Sequence, residues 1–385
     1  MKWFFILSAA VYFLQGIEGL PGLAISLWLK ETVGLKDFEL QRMMSYVTLA
    51  WLIKPLWGYL VDRYLTKVRW IQISLLLGAV LCLVLALGSF TVSSLWILIA
   101  VMAMLNWTMA IRDVANDGIA CVEGKRNQCT GKFQSIQWGA VTFAGLLASL
   151  GGGVVATYLS WQMAYLALIP LLFAGVAIVN KIPMSEGVTE RTCRIDFSQY
   201  RKLLSKDFLL LCLFIWLFNT CPSFAAPLFY KQRDVFGWSP MMIAYLGVFV
   251  AILDIIGAWF YSKYCKVLPI KKLLVGAIIF FAPTTLMYLH YTPVTAWIYA
   301  GVFATIGMVV FLVVMDLMAR KSITGLEATS FAMLCSISNF GSWCSAQMGS
   351  YCLEWWGLTT TIFINAAFGL LALTVVPFLK WEEKI

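Results

Sequence analysis

Five charged side chains lie in stretches apolar enough to cross a membrane or at the very end of one. Glu18 follows "YFLQGI", Lys54 interrupts "WLIKPLWGYLVD", and Arg112, Asp113 and Asp117 follow seventeen uncharged residues, "LWILIAVMAMLNWTMAI". A charge surrounded by hydrocarbon is costly, so such residues are expected to face protein or a watered cavity and to mark solute or proton pathways. Asp113 and Asp117, four residues apart, share one helical face, whereas Arg112 is turned about 100° from Asp113. Carboxylates of this kind can accept N–H hydrogen bonds or carry a proton, and Lys54 and Arg112 can hold an anion. Trp57, Trp107, Trp138 and Phe224 offer aromatic faces for stacking. The chemistry is that of holding and releasing a solute; no catalytic constellation is expected, and the chain is not read as an enzyme.

The elements that position these residues follow from composition. Of 385 residues, 61% are apolar and only 12% charged, against about 25% charged in soluble domains. The mean hydropathy is +0.84. The apolar residues come in runs of about 20, the length of a membrane helix, and not in the alternating segments of a membrane barrel. Twelve spans are expected, at 4–28, 42–61, 70–89, 95–117, 132–155, 161–180, 207–230, 240–261, 269–289, 294–318, 327–350 and 357–379. The first resembles a signal peptide at its start, but the apolar run continues past Gly16 to Leu29 without a convincing cleavage site, so it is read as a retained helix. With the N-terminus inside, 22 of the 28 lysines and arginines fall on the cytoplasmic side, which predicts cytoplasmic termini at the cell's plasma membrane. The net charge of +9 is then a topological signal with anionic lipid as its contact, and no nucleic-acid partner is implied. Ten cysteines without a C-x-x-C motif and a single histidine, His290, give no metal site and no disulfide framework. No cofactor is expected.

The chain repeats itself. "KPLWGYLVDRYLTKVRW" is echoed by "LDIIGAWFYSKYCKVLPI", and an offset of 199 residues places Gly58 on Gly257, Lys67 on Lys266 and Asp117 on Asp316. "GKFQSIQWGA" is echoed by "TSFAMLCSISNFGS". The expected organisation is a six-helix bundle over 1–180, a basic cytoplasmic linker over 181–206 and a second six-helix bundle over 207–385. Two parallel halves around a midplane site are an architecture of secondary transporters.

This all-α arrangement resembles the major facilitator fold, in which spans 3, 6, 9 and 12 face lipid. Those four spans carry no internal charge here, whereas Glu18, Lys54, Arg112, Asp113, Asp117, Asp254 and Asp316 all fall on other spans. A narrower resemblance lies in "YFLQGIEGL", "WLIKPLWGYLVD", "DVANDGIACVEGKR" with "QSIQWGA", and "GLEATSFAMLCSISNFGS". In order and spacing these blocks are similar to motifs of the folate-biopterin transporter family. The resemblance implies alternating-access transport of folate- or pterin-like solutes, and the lack of a nucleotide-binding loop favours proton coupling. It also implies that Asp62 and Arg63, in the loop after span 2, latch the cytoplasmic side. Asp316 and Arg320 are either a second gating pair or only a local one. Another major facilitator solute, such as S-adenosylmethionine or a nucleoside-like compound, is the competing reading, and a receptor that binds without transport is a further one.

The expected partners are the solute, protons and membrane lipids, with a monomer as the working form. The expected solute site comprises Glu18, Lys54, Arg112, Asp113, Asp117, Trp107 and Trp138, with Glu18 and Asp113 as proton carriers. Glu18 lies about 20 Å along its span and is either a midplane site or a carboxyl bonded to a neighbouring helix. Lys54 either reaches for the interface or pairs with Asp113. Asp254 is expected inside protein.

Overall fold

A computed structural model of the chain describes residues 1–127, 130–182, 201–264, 270–321 and 327–379, and these form helices and turns with no strand. Lipid offers backbone groups no hydrogen bonds, so each crossing must satisfy its own. The helices are α1 (Lys2–Ile17), α2 (Gly22–Glu31), α3 (Asp37–Val47), α4 (Lys54–Arg63), α5 (Lys67–Leu87), α6 (Leu95–Arg126), α7 (Thr130–Tyr158) and α8 (Trp161–Val179). They continue with α9 (Lys206–Asn219), α10 (Ala225–Tyr230), α11 (Pro240–Tyr264), α12 (Ile270–Thr284), α13 (Pro293–Arg320) and α14 (Glu327–Gly369). Among the described residues nine stretches are long and apolar enough to cross a membrane. One of them, Ser330–Phe378, has 49 residues, about twice what one crossing needs, and Gly357 at φ +75° turns the chain within it. The second and seventh expected spans are interrupted, by a 3₁₀ turn at Leu49–Ile53 and by residues 220–224 between α9 and α10. Twelve crossings are compatible with this pattern.

The chain forms two compact units. The first comprises Met1–Leu35, Tyr46–Ile195 and Ser239–Ala251. In it α1 packs along α7 and against α6 and α8, while α5 packs between α6 and α8. Small residues make the closest approach possible: a Cβ on Gly16 would stand 2.5 Å from the Val141 carbonyl oxygen of α7. The start of α11 belongs to this unit for a like reason, since a Cβ on Gly153 would stand 2.3 Å from that of Ala244.

The second unit comprises Lys36–Ser45, Asp196–Trp238 and Ile252–Ile385. Its apolar core includes Phe208, Phe214, Ile215, Leu274, Val313 and Leu334. A Cβ on Gly341 of α14 would stand 2.9 Å from the Trp216 carbonyl of α9. The α9–α14 seam therefore repeats, with the glycine on the other partner, the α1–α7 seam of the first unit. The start of α3 is tied into this unit by polar side chains. Gln41 Nε2 donates to the carbonyls of Ser223 (3.1 Å) and Ala346 (3.0 Å). Gln347 Nε2 donates to Ser45 Oγ at 2.6 Å, Ser350 Oγ donates to the Phe38 carbonyl at 2.7 Å, and Arg42 pairs with Glu354.

The internal repeat has a packing basis too. Gly58 on α4 faces Val114 of α6, and Gly257 on α11 faces the Thr305 carbonyl of α13, so both copies of the glycine serve the same kind of helix seam. On α5 and α8 large apolar side chains such as Leu77, Val80, Leu87, Met163 and Phe173 are exposed, a surface that only lipid solvates favourably.

Candidate functional site

The internal charges of the first unit resolve into three arrangements along α6. The first is a closed ion pair: Arg112 Nη2 donates to Glu18 Oε2 at 2.5 Å and Nη1 to Oε1 at 3.3 Å. Both side chains are 1% exposed. Glu18 occupies the bend between α1 and α2, three residues before Pro21, where the helix is interrupted. In this geometry neither charge is presented to a solute, and the bidentate pair fixes the bend against α6.

One residue further along α6, on another face, Lys54 Nζ meets Asp113 Oδ2 at 2.6 Å. Asp113 is 2% exposed but Lys54 is 15% exposed, so this pair borders accessible space. The 3₁₀ turn at Leu49–Ile53 makes Lys54 the first residue of α4, with Pro55 next. A cation at a helix N-terminus opposes the helix dipole, which makes the Asp113 carboxylate its necessary counter-charge. Lys54 Nζ also stands 4.9 Å from the ring centre of Trp51, whose Nε1 donates to Asn106 Oδ1 at 3.2 Å.

A turn later comes Asp117, which has neutral hydrogen-bond partners. Tyr12 Oη donates to its Oδ1 at 2.9 Å and Gln137 Nε2 donates to the same oxygen at 3.1 Å. Among the described residues Arg112 pairs with Glu18 and Lys54 with Asp113, whereas the side-chain donors to Asp117 are neutral. Gln137 is fully buried, and its Oε1 has no hydrogen-bond partner. Sequence reading did not single out Tyr12 or Gln137. Their place inside two of the motif blocks was the available signal; the convergence on one oxygen needed the packing of α1 and α7.

Three of the four candidate aromatic residues fall on the same unit. Trp57 and Trp107 have ring centres 6.0 Å apart, with Trp107 44% exposed, and Trp138 stands 6.5 Å from Tyr12. Phe224 belongs to the second unit, 5.3 Å from Tyr288. The side chains of Asp62, Arg63, Asp316 and Arg320, the expected gating residues, lie outside the described residues. Most of the expected linker, 183–200, also lies outside them. Among the described residues no cluster of His, Cys, Asp and Glu could hold a metal ion, and six cysteines are free.

A family model described as the BT1 family matches residues 15–380. The chain is 25% identical over 406 residues to the folate-biopterin transporter of Synechocystis sp., covering 98% of this chain and 81% of that protein. It is 23% identical over 383 residues to folate transporter 1 of Plasmodium falciparum, covering 94% of this chain and 75% of that one. Among solved structures, a D-xylose-proton symporter superposes with a TM-score of 0.79 at 11% identity, covering 99% of this chain and 98% of that one. The nucleoside transporter NupG gives 0.74 at 14% identity, covering 99% of each. At such identities these structures speak for the fold alone, and that fold is the major facilitator fold.

Proposed function

The chain belongs to the BT1 family of membrane transporters, and from that premise we propose that it carries folate- or pterin-like solutes by alternating access, coupled to protons. The observation that carries the reading is the Lys54–Asp113 pair beside Asp117 and the tryptophans. A folate has a flat bicyclic ring, an aminobenzoyl ring and a glutamate tail with two negative charges. Lys54 is the more exposed member of its pair, so a tail carboxylate can bind its ammonium from the open side while Asp113 still accepts from it. Trp57 and Trp107 supply stacking surface for the aminobenzoyl ring.

The proton is assigned to Asp117. It can gain or lose a proton without breaking an ion pair, and breaking a buried pair costs about 3–5 kcal/mol. Asp113 is the counter-ion of Lys54 with or without solute. Glu18 and Arg112 hold the α1 bend in place. Cytoplasmic termini, anionic lipid at the basic inner loops and a monomeric state complete the reading.

Uptake of labelled folate and biopterin into proteoliposomes tests it. Lys54→Ala is expected to weaken folate binding by tenfold or more while changing biopterin, which lacks the charged tail, several-fold less. Equal losses for both would move Lys54 to folding or gating. Accumulation that survives collapse of the pH gradient and membrane potential would overturn proton coupling, and binding with no flux in any gradient would leave a receptor.

A further inference from the structure

The second unit contains a cavity of about 330 Å³ bounded by α9, α12, α13 and α14. Interiors are close-packed, and a space of this size falls within the range of small-molecule pockets. None of the residues lining it is charged. Three phenylalanines, Phe218, Phe281 and Phe311, line it, with two carboxamides, Asn219 and Asn365, and the hydroxyl residue Ser338 as its polar side chains.

The carboxamides are oriented by their own hydrogen bonds. Asn219 Nδ2 donates to the Ile215 carbonyl at 2.8 Å, and Asn365 Nδ2 donates to the Pro222 carbonyl at 2.8 Å. Each amide thus spends an N–H on backbone and keeps its Oδ1 as an acceptor at the cavity wall. The Pro222 carbonyl belongs to the interruption between α9 and α10. That interruption is held rigid from α14, by Ser345 Oγ donating to the Cys221 carbonyl and by the Ser223 amide donating to the Ser345 carbonyl at 2.9 Å. Irregular backbone at membrane depth is tolerated where it is buried in protein or lines a cavity, and interrupted helices build the binding sites of many transporters.

We infer that this cavity is a subsite for an uncharged, flat bicyclic heteroaromatic ring that donates N–H hydrogen bonds, the amino-lactam edge shared by pterins and guanine. The phenylalanines take its faces and the two carboxamide oxygens take its donors. An acyl chain fits the apolar walls but leaves both acceptors desolvated and unpaired, so lipid is a poor occupant. The choice of a pterin rests on the function proposed above.

Gly307 gives a clean test. It lines the cavity, and a Cβ built on it meets nothing within 4 Å, so Gly307→Leu fills the space without a first clash. Glycine is also a poor residue inside a helix, so the ligand-free variant is expected to melt at or above the wild-type temperature. Biopterin is expected to raise the melting temperature of the wild type and to lose that effect in Gly307→Leu, with affinity ~tenfold or more weaker. Gly276→Leu on α12, also with open space at its Cβ, is the control and keeps the shift. Gly307→Val replaces the leucine if the latter lowers the ligand-free melting temperature. A full biopterin shift in the filled variant overturns the subsite. If the wild type binds neither folate nor biopterin, the proposed solute falls, and guanosine decides the cavity. A guanosine shift abolished by Gly307→Leu upholds it, and no shift overturns it.

Discussion

At the scale of single residues, α6 sorts three acidic interactions by what each can afford to lose. Glu18 and Arg112 are buried together, so removing one charge strands the other at a cost of about 3–5 kcal/mol. Glu18→Gln is expected to lower the melting temperature, while Glu18→Leu combined with Arg112→Met recovers most of it; calorimetry of the purified variants checks this. Loss of uptake at unchanged stability would instead place Glu18 in the solute path. Asp117→Asn keeps an oxygen for Tyr12 and Gln137 but cannot carry a proton. It is expected to lose pH-driven accumulation and retain solute counterflow, measured side by side in proteoliposomes. The candidate residues on α6 could be read from sequence because charges in apolar runs are conspicuous. Of their pairing only Lys54 with Asp113 was offered, as one of two alternatives, because a spacing along one helix does not say which neighbour from another helix arrives opposite it.

At the scale of elements, the interrupted crossings are the informative ones. Pro21 and Pro55 mark two interruptions in the sequence, and Pro222 a third, each followed by a fresh helix. The use of these breaks was legible only in part. Gly19, Pro21 and Gly22 after Glu18 are helix-breaking residue types, but nothing local predicts that Lys54 should become the first residue of α4 or that Asn365, 143 residues away, should cap Pro222. Glycines tell the same story. A Cβ on Gly349 would stand 2.0 Å from the Ser223 carbonyl oxygen, whereas one on Gly139 meets nothing within 4 Å. Gly349→Ala is expected to destabilise by about 1–3 kcal/mol through forced backbone movement. Gly139→Ala is expected to be neutral or to stabilise by up to about 1 kcal/mol through helix propensity. Chemical denaturation in detergent micelles distinguishes them, and equal effects would refute the close packing of α14 on residues 220–224.

At the scale of the whole molecule, the balance of lysine and arginine predicts that the 181–206 segment is cytoplasmic. A variant keeping Cys193 as its single cysteine is expected to react with a membrane-impermeant maleimide in inside-out vesicles and not in intact cells; the reverse would invert the topology. Hydropathy and charge-free spans were enough to read an all-α membrane protein, because lipid as a solvent dictates helix length and excludes stray charge over long stretches of chain, while the transporter family and the major facilitator fold were read from resemblance. Those constraints act along the chain and leave their mark in its order. Partner choice acts between elements distant in sequence, so only the tertiary structure decided that Arg112 closes on Glu18, that Lys54 closes on Asp113, that Asp117 is left with neutral donors, and that a cavity opens beside two asparagines.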